Sequence, residues 1–580
     1  MSTSNVKQNI THTDFIRLKV LGIAGLGTTP IDPLTLAERY IFVNNVEDIR
    51  KTRLEEYNCW YYGDSDRLKN FFTRANAYSY NTNPLYNENK KSYYWAVSST
   101  EEDIKRTHSG HPRNIVDTMV AIMSNPKIEC TVLNKYGTEN LDNILKANKF
   151  YWTLNQVARP MTLVEGWGAW KINWDNEFSE YPILLYYRAG QVDFVYVSGQ
   201  IRAIIYQDYY QDEDKKNYVL YETRRIGKYT NPETGRTSCS LYVEKELFEE
   251  TGTEILVPRK LSDLPQLKDV KPLTIIEDYY GFLGYPSIFY HDASGENPGR
   301  SIYTGKTDIF DDLDQCFSQS ANAVRLSTVH EYFNTLYLET DSNGLPIQPD
   351  AFNRKYIKYQ GLMTGDGGGT GSSPVQVVQP AVNFNQYSEE EQNLLLNAIS
   401  GYMSPATMGI DVSTKNNASD TREKEKVTIF TRNNLLESER DVMEHLGSDL
   451  LVAYELMHLK PGETASTNHY DISVQYKEFA NGSFESRLEA VQTAWSGGLM
   501  SDDLAIDMLY GTDLSEDKKA KELKFLQEEK KRKEEANMAN APEMQGDFGV
   551  LGAENENNDK KEKTHIEDLK EDLGIEEGND

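Results

Sequence analysis

Between about residues 160 and 260 the apolar positions recur every second residue; on either side they recur every third or fourth. A period of two places alternate side chains on one face of a strand, and a period near 3.6 places them on one face of a helix. The runs Val192–Ser198, Ile201–Tyr206, Tyr218–Arg224 and Ser238–Glu244 are rich in β-branched and aromatic residues and read as strands. Gly199 and the segment Asn231-Pro232-Glu233-Thr234-Gly235 mark turns between them, so an antiparallel meander is expected.

Ahead of the meander, residues 1–35 read as a Gly/Pro-punctuated arm, and 35–58 as a helix with charges at i,i+4 spacing. The Tyr/Asn-rich stretch 76–95 reads as loop, and Ile115–Met123 and 139–158 as helices. After the meander, Thr307 or Asp308 is placed to cap a helix on which Phe310, Leu313, Phe317, Ala321 and Val324 trace one stripe. If it runs to Val329, that helix is roughly 35 Å long at ~1.5 Å per residue. A compact insert over 331–380 holds strand-like pieces at Thr335–Glu339, Lys355–Tyr359 and Val375–Val378, with a glycine-rich loop at 365–373. A second helix is expected over Ser388–Met403, with Ser388 as cap and Glu391 completing a capping box. A polar loop, Ser404–Asp420, leads to a long helix at about 420–459, with Gly447 inside it and Pro461-Gly462 ending it. A strand at Tyr470–Phe479, helices at 484–497 and 501–510 and a Lys/Glu-rich helix at 515–536 follow. Residues 537–580 are rich in Asn, Glu and Asp, and a disordered acidic tail is expected. The fold class is α+β.

At 580 residues the chain is too long for one ordinary core. Its 38% hydrophobic content and 37 tyrosines set it apart from disordered chains. The formal net charge of -29 changes the picture of any nucleic-acid role. A protein that grips phosphates carries a basic face, so contact with DNA here is local or non-adhesive. Cys59, Cys130, Cys239 and Cys316 are far apart and form no CxxC pair; they read as free thiols in a reducing compartment. Met1 to Thr13 has no apolar h-region, so no secretory signal is expected, and the sequons at Asn9, Asn417 and Asn481 read as chance matches. No run of about 18 apolar residues exists, so no membrane span is expected.

Catalytic signals are sparse. Gly299-Arg-Ser-Ile-Tyr-Thr-Gly305-Lys306-Thr307 resembles a phosphate loop, but five residues separate its glycines where a P-loop has four. It reads as a loop leading into the striped helix. Asp308, Asp311, Asp312 and Asp314 fan around more than one helical face, and a solvated N-terminal charge pattern is favoured over a metal site. His445 and His458 are 13 residues apart, which is no zincin pair, and read as surface or interface histidines. No catalytic residues, no metal and no cofactor are expected.

The order of these pieces resembles the portal proteins of long-tailed bacteriophages over most of residues 35–535. The residues that carry the resemblance are Tyr61-Tyr62-Gly63; Pro112-Arg-Asn114-Ile-Val-Asp117 followed by Ser124-Asn-Pro126-Lys-Ile128; and Glu165-Gly166-Trp-Gly168-Ala169-Trp170. In the second half they are Gly305-Lys-Thr307-Asp308 with Ser318 and Ala321-Asn322, Ile399 to Met408, and Glu489 to Ser501. Asn416-Asn417-Ala418-Ser419-Asp420 stands where such portals place a Ser-Gly-x-Ala phrase, and its glycine is missing here.

The resemblance implies a non-enzymatic ring subunit, twelve to a ring. Its parts would be an N-terminal arm (1–35), wing (36–305), stem helix 1 (306–330), clip (331–385), stem helix 2 (386–403), channel loop (404–420), long helix and wing return (421–480), helical crown (481–536) and acidic tail (537–580). The ring would sit at one capsid vertex of the virion, assemble in the host cytoplasm, and pass double-stranded DNA inward and outward. Implied partners are the terminase large subunit, the major capsid and scaffolding proteins and a head-completion adaptor, with no membrane. Thr414, Lys415, Asn416 and Asn417 are the residues for touching phosphates; the alternative is an ordinary solvated turn. Phe310, Leu313, Phe317 and Val324 would pack against a neighbouring stem helix rather than line a ligand pocket. Twelve helices about 10 Å across give a circumference of ~120 Å and leave about 28 Å free, enough for a duplex on the order of 20 Å wide. Other virion structural proteins, and less so a DNA-processing enzyme, are the competing classes.

Overall fold

A computed structural model describes residues 8–21, 40–43, 48–82, 93–96, 105–130, 134–232, 234–252, 255–293, 295, 297–327, 330–334, 340, 342–344, 356–359, 375–378, 384–410, 425–459, 470–476, 488, 491–495, 500–510 and 516–539. The chain divides into two compact units, Met1–Tyr476 and Lys477–Asp580.

The first unit begins with β1 (Gln8–Thr11) and α1 (His12–Val20), then β2 (Tyr40–Val43), α2 (Asp48–Tyr62), α3 (Ser65–Thr82) and α4 (His111–Ile122). Next are β3 (Lys127–Cys130), α5 (Asn134–Ala147), α6 (Phe150–Thr153), a π turn (Leu154–Ala158) and α7 (Arg159–Glu165). The strand region follows: β4 (Trp167–Asn173), β5 (Ile183–Arg188), β6 (Val192–Val197), β7 (Gln200–Gln211), β8 (Asn217–Thr230), β9 (Thr237–Glu250), β10 (Ile255–Arg259), β11 (Leu273–Ile276) and β12 (Gly284–Ile288). The unit closes with α8 (Thr307–Leu326), β13 (His330–Asn334), β14 (Tyr356–Tyr359), β15 (Val375–Val378), α9 (Phe384–Ile399), α10 (Lys426–His458) and β16 (Ile472–Gln475). The second unit holds α11 (Asp502–Tyr510) and α12 (Glu516–Ala539). The fold is α+β. Among the described residues no helix is long and apolar enough to cross a membrane.

The expected meander is the centre of an eight-stranded sheet in the order β1-β2-β10-β9-β8-β7-β6, with β11 also paired to β9. The alternation read from sequence reflects two buried faces. On β7, Ala203 and Ile205 face one core with Phe15, Phe42 and Val219. Ile204 and Tyr206 face another with Trp167, Tyr187 and Phe194. The Asn231–Gly235 turn closes as expected: Gly235 N–H donates to Asn231 O at 2.8 Å.

Four expectations need correction. Within the expected arm 1–35, residues 8–20 are structured: β1 adds to the sheet and α1 packs its Phe15 and Ile16 into the core. Thr11 caps α1 through Asp14 N–H, and His12 stacks on Tyr221 at 4.1 Å. The helix expected at 35–58 is strand over Tyr40–Val43, where the apolar run Tyr-Ile-Phe-Val pairs with β1 and β10; helix begins only at Asp48. The loop expected from residue 76 is still α3 as far as Thr82. Helix α9 starts at Phe384, so Ser388 lies inside it rather than capping it.

Helix α10 ties the unit together. Leu435 and Leu436 enter the core shared with α2, α4, α8 and α9, and Val442 to Ala453 enter a second core with α5, β4 and β16. Arg159 is 1% exposed and forks onto Glu439 of α10 at 2.8 and 2.7 Å. It also donates to Met123 O and Ser124 O at the end of α4. Arg432 donates to Ile122 O, so two guanidiniums satisfy the carbonyls that a helix C-terminus leaves open.

Candidate functional site

The helix pair α8 and α9 is the site that the sequence singles out, and the two helices lie side by side, antiparallel. Lys306, at the N-cap of α8, donates to Asn397 O at 2.5 Å and Ser400 O at 3.1 Å. Further along, Cys316 Sγ reaches Tyr387 O at 3.6 Å. A cation at the carbonyl end of a helix satisfies orphan acceptors and opposes the negative pole of its dipole. Burial lowers the Lys306 pKa from its ordinary value. Neither Thr307 nor Asp308 caps α8, because Lys306 holds the N-cap position without a side-chain cap bond. At the other end, β13 follows α8 and pairs antiparallel with β15, which precedes α9; β14 lies parallel on the other side of β13. The strand expected at Val375–Val378 is present, and that expected at Lys355–Tyr359 is present over Tyr356–Tyr359; Lys355 and Thr335–Glu339 lie outside the described residues.

The stripe on α8 divides. Phe310 and Leu313 are 1% and 0% exposed, inside the unit's own core, with Phe310 against Trp60 and Tyr303. Phe317 and Val324 are 36% and 49% exposed. Phe384 at the start of α9 is 57% exposed. The channel-loop residues Thr414, Lys415, Asn416 and Asn417 lie outside the described residues.

The acidic cluster was expected to be solvated, and half of it is not. Asp311 and Asp314 are 6% and 0% exposed. With Ser318 they form an i, i+3, i+7 row that grips the segments 93–96 and 105–110. Tyr94 N–H donates to Asp311 at 2.7 Å. Asp314 accepts from Trp95 Nε1 at 3.0 Å and Ser109 N–H at 2.8 Å, and His108 Nδ1 lies 2.7 Å from it. Ser318 bonds both the N–H and the carbonyl of Thr107. Desolvation by burial, opposed by the backbone donors, raises the Asp311 carboxyl to about 7. Asp312 stays exposed, and its pKa is raised by desolvation and by Asp308 and Glu390. Among the described residues no cluster of three or more His, Cys, Asp or Glu is arranged to hold a metal.

Three of the glycines that gave the sequence its motif-like look, Gly63, Gly166 and Gly299, are close approaches, whereas a Cβ on Gly305 would meet nothing within 4 Å. A Cβ on Gly299 would sit 2.2 Å from Gly166 O, and one on Gly166 (φ +96°) 2.8 Å from Ser301 N. A Cβ on Gly63 would meet the His108 ring at 2.6 Å. The loop at 299–306 therefore packs backbone to backbone against the end of α7, with Ile302 N–H on Leu163 O at 3.0 Å.

No family model matches this chain. No curated protein matches it either. Among solved structures it is similar to a chain described as "Neck of empty GTA particle computed with C6 symmetry", at 11% identity and a TM-score of 0.34. That alignment covers 72% of this chain and 95% of the other. A likeness of that degree carries no argument about function.

Sequence reasoning missed the grip of α8 on residues 93–96 and 105–110. A signal existed: Asp311, Asp314 and Ser318 recur at helical spacing on one face, and polar residues aligned in that way need partners.

Proposed function

We propose that this chain is a portal subunit: a non-enzymatic protein that joins copies of itself into a ring at one vertex of a viral capsid and passes double-stranded DNA through the central hole. The observation that carries the reading is the braced helix pair with a small sheet at its tip, on which Phe317, Val324 and Phe384 are left outside the chain's own core. Burying such positions against a second copy removes apolar surface from water at roughly 25 cal/mol per Å².

Charge supports the same reading. Helix α8 carries four aspartates and one arginine, and α9 carries three glutamates and no basic residue. Asp311 and Asp314 are buried, but Asp308, Asp312 and the three glutamates reach the surface, and a face of that sign repels phosphates, which suits a duct through which DNA slides rather than a surface to which it clings. In this reading 331–385 is the clip that docks the terminase motor and later the head-completion adaptor, 404–420 is the channel loop, and ATP hydrolysis belongs to the motor. Major capsid and scaffolding proteins are the assembly partners, and twelve is the expected ring number.

Negative-stain imaging of the purified protein, with mass photometry, tests the proposal. Rings with a central hole are expected; a compact monomer at micromolar concentration overturns it. Steady ATPase activity lost on Lys306→Ala would instead favour a DNA-processing enzyme.

A further inference from the structure

We propose that Asp311 is a protonation-controlled clasp: neutral, it holds the turn at Tyr94–Ala96 against the first stem helix; ionised, it favours the turn's release.

The geometry places a carboxyl group where a charge is poorly supported. Asp311 is 6% exposed, inside the core that holds Trp60, Phe72, Tyr94, Trp95, Phe310 and Leu313. One oxygen accepts the Tyr94 N–H at 2.7 Å, and the Trp95 N–H also bonds the carboxyl, while Oδ1 is buried with no hydrogen-bond partner. An orphaned oxygen in an apolar setting costs little on a neutral acid and much on a carboxylate. The charged groups nearby are Asp312 and Asp314 on its own helix. From the held segments come His108, whose Nδ1 is spent on Asp314, and Arg106, which reaches the Trp95 carbonyl and covers the Tyr94 ring. Among the described residues no cation is bonded to Asp311 itself. Asp314 contrasts with it one turn further on: it has three partners, two backbone or ring N–H groups and a histidine.

The sign follows from linkage. The folded pKa, about 7, lies above the ordinary aspartate value. The contribution is therefore complete below about pH 4, declines as pH rises toward 7, and is gone above that. Opening of the turn exposes the acid to water, so its opening constant grows by up to about tenfold per pH unit over that interval and then levels off.

Hydrogen exchange on the full chain, corrected for intrinsic rates at each pH from 5 to 8, reads this directly at residues 93–96. Wild type is expected to show opening that rises with pH and flattens near pH 7. Asp311→Asn, neutral at every pH, is expected to remove the slope. Asp312→Asn, an exposed position whose charge helps keep Asp311 neutral, is expected to move the plateau to lower pH. A flat wild-type profile, or an undiminished slope in Asp311→Asn, overturns the proposal; should that variant not fold, an unmoved plateau in Asp312→Asn does so. The inference concerns contacts within one chain and stands whether or not the protein forms rings.

Discussion

At the scale of single residues, the strongest commitments are buried charges. Arg159 and Glu439 join α7 to α10 in a fork that also closes α4. Arg159→Leu strands Glu439 in the core and is expected to cost about 3–5 kcal/mol, read as a lower urea midpoint. Arg159→Lys cannot rebuild a two-pronged contact and should recover little of it. Glu222 gives a prediction in pH. Burial alone would raise its carboxyl, but Arg224, Lys171 and Lys245 outweigh that and hold it at about 2. A depressed acid stabilises the fold above its unfolded value near 4.3, and that contribution is lost as pH falls through 2. Circular dichroism on acid titration should show unfolding in that window, with a shallower acid limb in Glu222→Gln. Glycines separate by what surrounds them. Gly166→Ala drives a Cβ into backbone, whereas a Cβ at Gly235 (φ +67°) meets nothing within 4 Å. Gly235→Ala should cost only the left-handed penalty of about 1–2 kcal/mol, and Gly166→Ala clearly more, in the same denaturation assay.

At the scale of elements, the α8–α9 pair is the part most open to test. Phe317→Glu and Val324→Glu change exposed positions that the unit's own core does not use. Both should leave the circular dichroism spectrum and urea midpoint nearly unchanged while abolishing rings in mass photometry. An unaltered particle mass in both variants would remove these residues from any interface. Periodicity made the meander, α4, α8, α10 and α11 legible, because each has one or two apolar faces long enough to register; α12 was legible from its Lys/Glu-rich composition. Periodicity failed where the element was short or its partner distant. Tyr40–Val43 is four residues paired with β1 and β10, and the second of those partners lies more than two hundred residues away in the chain. Thr11-His-Thr-Asp14 was a capping signature ahead of Phe15 and Ile16, and it marked α1. The resemblance phrases proved to be joints: Gly63 makes room for His108, Ser124 receives two arginines, and Gly166 meets Gly299. Such positions restrict residue type for steric reasons, which is why they read as motifs without announcing any chemistry.

At the scale of the molecule, charge dominates. With a net -29, and with Asp308, Asp312 and Glu389 to Glu391 at the surface of α8 and α9 against one arginine, the free protein should bind duplex DNA weakly. Gel shifts at 50 mM and 200 mM salt should show little retention and a shallow salt slope, since the slope counts phosphates neutralised. A steep slope would mean a basic face lies elsewhere. Part of that acidity is neutralised inside the fold, where Lys171 and Arg224 pair with buried Glu222, and Lys19 and Arg225 with buried Glu244. One feature reaches furthest. Helices α8 and α9 are fastened at both extremities, by Lys306 on the Asn397 and Ser400 carbonyls and by the β13–β15 ladder. Two parallel bars pinned at each end cannot creep past one another; slippage by one helical turn, about 5.4 Å, would have to break both pins together. A pull exerted on the small sheet is therefore shared between the bars and delivered to the base of the unit with little lost to sliding along the way.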